Sequence, residues 1–335
     1  MRPVVDPDLI RAWSRPRGLR AAVRLVVTLG LLIASFSMLW ISPSVAIAAP
    51  LVFILNGILF HHLLIIQHET LHYSLFQRRS WNSVVCAITS YLIGLTPSYR
   101  KVHLAHHRHL GEAEKDPDLR NYSRDPLTRR EFVVLLVANV SGYAAVAQFF
   151  RQRRTPGNAN VLEVLILAIV HSVILGSFAV LGAYHYYLIF WLLPLATVTK
   201  TITNLRNLAE HIDTLQASNS RHRTILCPWW ERLVFAPLHF NYHAEHHFYP
   251  SVNYTQLPKL HELLMSSSDA LEKMEVARSY VGVLHGHIGP RPSRAARADA
   301  WVNHPPESGR HAGRLPRTKR AKMRADPGVD QQNSR

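Results

Sequence analysis

From Leu25 to Ile41 the chain carries no charged side chain, and from Val45 to Ile66 it carries none of Asp, Glu, Lys or Arg. Two further apolar runs follow, at about Val161–Ala183 and Tyr186–Thr199. Each approaches the roughly 20 residues that cross a bilayer once flanking Arg20, Arg24 or Lys200 snorkel. In lipid every backbone polar group must be satisfied internally, which leaves the helix as the form for such runs. A cleaved signal peptide competes for the first run, because Val45–Ala49 could pass for a cleavage site. The run is longer than a usual signal core and a second one follows at once, so an uncleaved span is expected. The expected fold class is an all-α integral membrane protein with four transmembrane helices in two hairpins, and a cytosolic helical cap.

The composition agrees. Hydrophobic residues make up 48% of the chain, yet the mean hydropathy is near zero. Apolar runs and strongly polar loops therefore coexist. The formal charge of +16 orients the spans; it does not call for a nucleic-acid partner. The links Ser42–Ser44 and Gly182–His185 hold no Lys or Arg, whereas the N-terminus, Arg78-Arg79, Arg100-Lys101, Arg151–Arg154 and the C-terminal half are basic. The positive-inside rule puts these segments and both termini on the cytoplasmic side. Apolar segments at 83–97 and 131–150 are read as interfacial or re-entrant, because a further crossing would part the histidine clusters described next. Arg151–Arg154 and Pro156-Gly157 mark a loop, and about 252–286 reads as soluble helix, with Leu257, Leu260, Leu263 and Leu264 at helical spacing and then Leu271 and Val276. The expected organisation is a basic N-terminus (1–24), a membrane catalytic domain (25–289) and a basic, disordered tail (290–335). With only Cys86 and Cys227 and no CxxC, a disulfide framework or zinc ribbon is excluded.

Histidine is abundant, 21 of 335 residues, and it is clustered. His68 and His72 stand at i, i+4 where the second run ends. His103, His106 and His107 share the spacing of His243, His246 and His247, at i, i+3, i+4. On a helix each set faces one way. Histidine is the commonest metal ligand, and an all-histidine site suits iron, zinc or copper rather than magnesium or calcium. Eight imidazoles exceed one ion and suit two held close together. Iron is favoured because open-coordination iron activates O2, and a site at the membrane face implies a lipid-soluble substrate. His61, His62 and His171 lie inside the runs, and His109 beside a cluster; packing or loop exposure explains them as well as function does. Glu69, Glu210 and Glu245 flank candidate ligands and could orient imidazoles through the free ring N–H, as could Asp116 and Asp118. The aromatic run Tyr184–Trp191 reads as an interface belt.

His68-Glu-Thr-Leu-His72, His103-Leu-Ala-His-His107 and His243-Ala-Glu-His-His247 resemble the three histidine boxes of the membrane fatty acid desaturase family, whose wider group includes membrane hydroxylases and carotenoid ketolases. Asp116-Pro-Asp118 and Phe248-Tyr-Pro-Ser251 resemble the boxes' surroundings, and the likeness spans roughly 20–265. It implies a non-haem di-iron centre at the cytosolic membrane face with O2 as co-substrate. It also implies an acyl chain in a tunnel beneath the centre, and a separate electron donor, a ferredoxin or a cytochrome with its reductase. No His-Pro-Gly-Gly haem stretch is present. Asn207-Leu-Ala-Glu-His211 is similar to a further motif of related acyl-CoA desaturases. It implies His211 as a ninth histidine ligand and Asn207 as a water-mediated one. His211 also lies on the continuation of the fourth run, one turn from Asn207. Loss of two hydrogens from a CH2–CH2 unit gives a double bond; oxygen insertion gives a hydroxyl. Both use nearly the same ligands, so a hydroxylase or ketolase is the near alternative. A non-enzymatic zinc receptor is the alternative of another class, and the ligand number weighs against it, since structural zinc takes four.

Overall fold

The structure is a computed structural model that describes residues 4–112, 114–119, 127–154, 160–212, 215–216, 219–220 and 222–289. The expected C-terminal tail lies outside the described residues.

Helix α1 (Pro7–Trp13) precedes two long helices, α2 (Gly18–Ile41) and α3 (Val45–Leu71). At 1.5 Å per residue these are about 36 and 40 Å long, enough for a hydrocarbon core of about 30 Å. α2 buries one stripe, Ala21, Thr28, Leu32, Ser35, Phe36 and Leu39, and leaves Val26, Val27 and Ile33 exposed. α8 (Val161–Val180) has a mean hydropathy of 2.3 over its most apolar window, and not one of its residues is buried. A helix that is apolar all round and unburied needs lipid as its solvent. The fourth long helix, α9 (Tyr184–His211), runs well past the apolar run and ends on His211. These four helices are long and apolar enough to cross a membrane.

Buried polar contacts fix the helices against each other. Ser35 Oγ donates to Asn56 Oδ1 at 2.5 Å, and Asn56 Nδ2 donates to the Phe190 carbonyl at 2.8 Å, joining α2, α3 and α9. α9 contains two π-helical turns, Leu188–Leu192 and Leu195–Thr199. Next to the second, Thr199 Oγ1 donates to the Gly57 carbonyl at 2.8 Å. A Cβ on Gly57 would lie 2.4 Å from Val198 Cβ, so only glycine permits this crossing. Gly57→Ala is expected to destabilise the protein by about 1–3 kcal/mol through overpacking, and Val198→Ala in the same chain to recover part of it. Thermal melting in detergent reads both.

The two shorter apolar segments form α4 (Arg79–Leu92) and the pair α6 (Arg129–Val140) and α7 (Tyr143–Arg154). α6 and α7 are bent by 79° at Ser141-Gly142, where Gly142 has φ +79°. Each arm alone is too short to span, at about 18 Å. Arg151–Arg154, expected in a loop, continues α7.

After α9 come a short antiparallel pair, β1 (Leu215–Gln216) with β2 (Asn219–Ser220), then β3 (His222–Ile225), α10 (Trp229–Phe235) and α11 (His243–Phe248). The segment expected as helix over 252–286 is instead broken into α12 (Leu257–Leu264), α13 (Ser268–Lys273), β4 (Met274–Ala277) and α14 (Tyr280–Gly286). β4 pairs in parallel with β3, with Arg223 opposite Glu275. The fold is mostly helical with four candidate membrane-spanning helices, as expected, and two short strand pairs are added among the described residues. The helical spacing of Leu257, Leu260 and Leu264 holds in α12, but Val276 belongs to a strand whose partner lies about fifty residues upstream. His61 and His62 are structural. Their Nε2–H groups donate to the carbonyls of Phe235 (2.9 Å) and Leu233 (2.7 Å), capping the end of α10 against α3.

Candidate metal centre

The end of α3 and the start of α5 (Tyr99–His109) are clamped together by Arg100. Its Nε donates to the Leu71 carbonyl at 2.7 Å, and its guanidinium lies 3.9 Å from the centre of the Tyr73 ring. Tyr73, directly after His72, has φ +56°, a left-handed turn that this clamp holds. Leu238 (φ +57°) and His239 (φ +56°) make a comparable turn just before α11. Asn253 Nδ2 donates to the Ser74 carbonyl at 2.8 Å, tying the segment after α11 to the end of α3. Box one thus ends α3, box two lies on α5, box three on α11, and His211 ends α9.

The nine histidines converge. Donor atoms of His68, His72, His103, His107 and His246 all lie within 4.8 Å of one another, as do those of His106, His211 and His247. Glu210, His211 and His243 form a third such group. Nε2 atoms face each other at 2.8 Å in His72–His103, 3.1 Å in His211–His243 and 3.2 Å in His107–His246. Such a pair shares at most one proton, so lone pairs point into the cluster. Burial, and after it mostly the neighbouring imidazoles, hold His103, His107, His243, His246 and His247 well below the usual imidazole value. Burial also pushes His72 down to about 3. The rings are therefore neutral, as metal ligation requires. Both ring nitrogens of His68 and Nε2 of His247 are buried without a hydrogen-bond partner among the described residues. Buried polar atoms are almost always satisfied, so these orphans and the converging lone pairs fit transition-metal ions.

Carboxylates stand behind the rings. Asp116 Oδ1 accepts from His106 Nδ1 at 2.9 Å, which leaves Nε2 as the donor toward a metal. The backbone N–H groups of Gly111 and Asp118 bind the same carboxylate, each at 2.9 Å. Asp116→Asn keeps the shape and removes the charge; a 10–100-fold drop in metal affinity is expected, read by titration of the stripped protein. Glu69 Oε1 lies 3.4 Å from His68 Nδ1, and Glu210 Oε2 3.6 Å from His243 Nδ1. Glu245, expected to back a box imidazole, is instead taken by His261 Nδ1 and Thr224 Oγ1. Asp118 and Asn207 line a cavity beside the histidines. His109 pairs with Glu112 at 3.0 Å, away from the cluster.

That cavity measures about 650 Å³. His68, His103, His106, His243 and His247 form part of its wall, and it extends between α7, α8 and α9 to Phe149, Leu167 and Leu192. Along α9 its lining recurs at Leu192, Leu195, Thr199, Thr203 and Asn207, about 22 Å of helix. One leaflet of a bilayer core is about 15 Å, so the cavity accommodates an acyl chain. His171 closes it against α4: Nε2–H donates to the Tyr91 carbonyl (2.9 Å) and Nδ1 accepts from Tyr187 Oη (2.8 Å).

Several residues at the site had no signal in the sequence. His222 stacks on His247 at 5.2 Å and 19°, held near pKa 4 chiefly by burial. Arg206 is buried with its guanidinium 4.2 Å from the centre of the Phe240 ring. Tyr280 Oη donates to Glu210 Oε1 at 3.1 Å. Each depends on a long-range approach that no local spacing encodes.

Two comparisons with known proteins agree with this geometry. Residues 44–278 match the model of the family described as fatty acid desaturase. The chain is also 25% identical over 240 residues to dihydrorhizobitoxine desaturase of Bradyrhizobium elkanii, covering 64% of this chain and 67% of that protein. The family match contains all three boxes, His211 and the long helices α8 and α9. The chain belongs to the fatty acid desaturase family and is an oxidoreductase enzyme.

Proposed function

We propose that this enzyme is an O2-dependent, membrane-embedded di-iron desaturase that removes two hydrogens from a lipid acyl chain. The observation that carries the reading is the convergence of nine imidazoles, five of them in the wall of a cavity with largely apolar lining. The family implies iron. His68, His72, His103, His107 and His246 would hold one ion, and His106, His211, His243 and His247 the other, with Asn207 near the second through water. Bound iron supplies the oxidising power, drawn from O2 and two electrons, to break an unactivated C–H bond.

The chain's own residues do the rest. Burial keeps His72, His103, His107, His243, His246 and His247 neutral, and Asp116 orients His106 by holding its Nδ1–H. Glu69 Oε1 and Glu210 Oε2 stand 3.4 and 3.6 Å from Nδ1 of His68 and His243, close but not hydrogen-bonded. The cavity wall from Asn207 to Leu192 lays the substrate chain along α9 and excludes bulk water from the reacting carbon. In this reading α2–α3 and α8–α9 form two hairpins, and α4 and the α6–α7 pair are re-entrant. The histidines and both termini then face the cytoplasm as the helical cap, where a separate ferredoxin or cytochrome delivers electrons.

The test is expression in an aerobic host with a reductase system, with the total lipid extract compared by mass spectrometry against a His106→Ala, His246→Ala chain. A product lacking two hydrogens and absent from the control is expected. A product that gains oxygen instead would move the enzyme to the hydroxylases of the same metal class.

A further inference from the structure

The cavity is not lined as an acyl chain alone would require. Arg206 forms part of its wall and is 7% exposed. Its Nε and Nη1 are buried without a hydrogen-bond partner among the described residues. Among the described residues its charged partner is Glu210, whose Oε2 makes an ion pair at 3.8 Å from Nε, beyond hydrogen-bond distance, and the face of the guanidinium rests on Phe240. A guanidinium carries five N–H donors in a planar fork matched to carboxylate and phosphate, and leaving buried N–H groups without an acceptor is costly. A second cation, Lys200, lines the same cavity and is bound by Gln148 Oε1. Lys200 and Asn204 also line an adjoining cavity of about 640 Å³ in the bend of α6 and α7, where Arg130 stands. Two acids belong to these walls. Asp118 lines the first cavity, and its backbone N–H binds Asp116; Glu131 lines the second and is engaged in the capping box of α6 with Thr128.

We propose that Arg206 anchors an oxyanion of the substrate inside the cavity, so that the enzyme takes its substrate as an acid and not as a neutral chain. The ligand chemistry is a carboxylate or a phosphate monoester. A free fatty acid would supply the first and an anionic lipid headgroup the second. This rests on the reading of the cavity as the substrate site, and it adds the substrate's charged end. Arg206 immediately precedes Asn207 and lies one helical turn before Glu210, so the anion is held beside the histidines and the oxidised carbons are close to it along the chain.

The experiment uses the iron-loaded enzyme in detergent. Equilibrium binding is measured for octanoate and palmitate, each against its methyl ester, and for dipalmitoyl phosphatidate. Wild-type protein is expected to hold at least one acid, or the phosphatidate, about tenfold more tightly than the neutral esters, the scale of one charge-assisted hydrogen bond. Arg206→Met is expected to bring the anion to the affinity of the ester while still binding the ester. Arg206→Lys is expected to keep part of the preference. A preference for the carboxylates identifies a free acid, and one for phosphatidate identifies a lipid headgroup. Equal binding of anion and ester by the wild type, or a preference that survives in Arg206→Met, would overturn the inference. Desaturation of lipid together with equal binding would sink this inference alone. Failure to bind any of these ligands would overturn this inference, and protein that also cannot be loaded with iron would sink the desaturase reading with it.

Discussion

His246→Ala is expected to abolish product formation and to halve the iron retained by the purified protein, while His109→Ala changes neither. His246 is 3% exposed, and its ring lies 4.7 Å from those of both His68 and His72 and 4.9 Å from that of His107. Its Nε2 faces His107 Nε2. Removing it takes one donor from the five-histidine group and leaves a water-accessible gap among the rest. The other group, His106, His211 and His247 with His243, keeps every donor, so one iron should remain. In the proposed di-iron reading turnover needs both ions, so the loss of activity is expected to be complete although the loss of metal is not. His109 is the control that separates being a histidine from being a ligand. It follows box two directly, yet its ring pairs with Glu112 at the loop after α5. Iron by elemental analysis and product by mass spectrometry read the two outcomes separately.

The largest effect on stability is expected at Arg223. It is fully buried, with Nη1 donating to the Ala209 carbonyl at 2.6 Å and Nη2 to the Ile212 carbonyl at 3.0 Å. Nε and Nη2 also grip the Glu275 carboxylate at 2.9 and 3.0 Å. One side chain therefore satisfies the carbonyls on either side of His211 and pins β4 to β3. Arg223→Met would leave two carbonyls at the end of α9 and one carboxylate without their donor. Each buried carbonyl left without a donor costs about 1–3 kcal/mol, so a loss of about 2–5 kcal/mol is expected, while Glu275, 31% exposed, can turn to water. Melting in detergent should fall accordingly, and the iron bound near His211 should become labile. Arg223→Lys, which reaches one acceptor at a time, should recover only part of the loss.

The long helices and the boxes were legible because both are local patterns. Hydropathy over about 20 residues marks a span whatever its partners, and i, i+3, i+4 spacing puts His103, His106 and His107 on one helix face without knowledge of the fold. His211 was reachable by continuing the fourth run through Asn207. The β3–β4 pair was not legible, because Arg223 and Glu275 are brought together across fifty residues and Val276 falls by chance at a helical spacing. Glu245 misled for a related reason. It lies between His243 and His246 in sequence, but on α11 it turns to His261 and Thr224. Arg206 carried no signal, because its meaning lies in buried N–H groups without a hydrogen-bond acceptor, which only tertiary structure reveals. Arg151–Arg154 read as a loop from charge and the following Pro-Gly, whereas arginine is itself a good helix former and continues α7.

The central claim, that the nine imidazoles form one di-iron centre, is tested most directly by the metal content of wild-type protein purified from iron-replete aerobic cells. About two iron ions per chain and little zinc are expected, with both ions lost when His103, His211 and His246 are replaced together by alanine. One tightly bound zinc per chain, or two irons that survive the triple replacement, would contradict it.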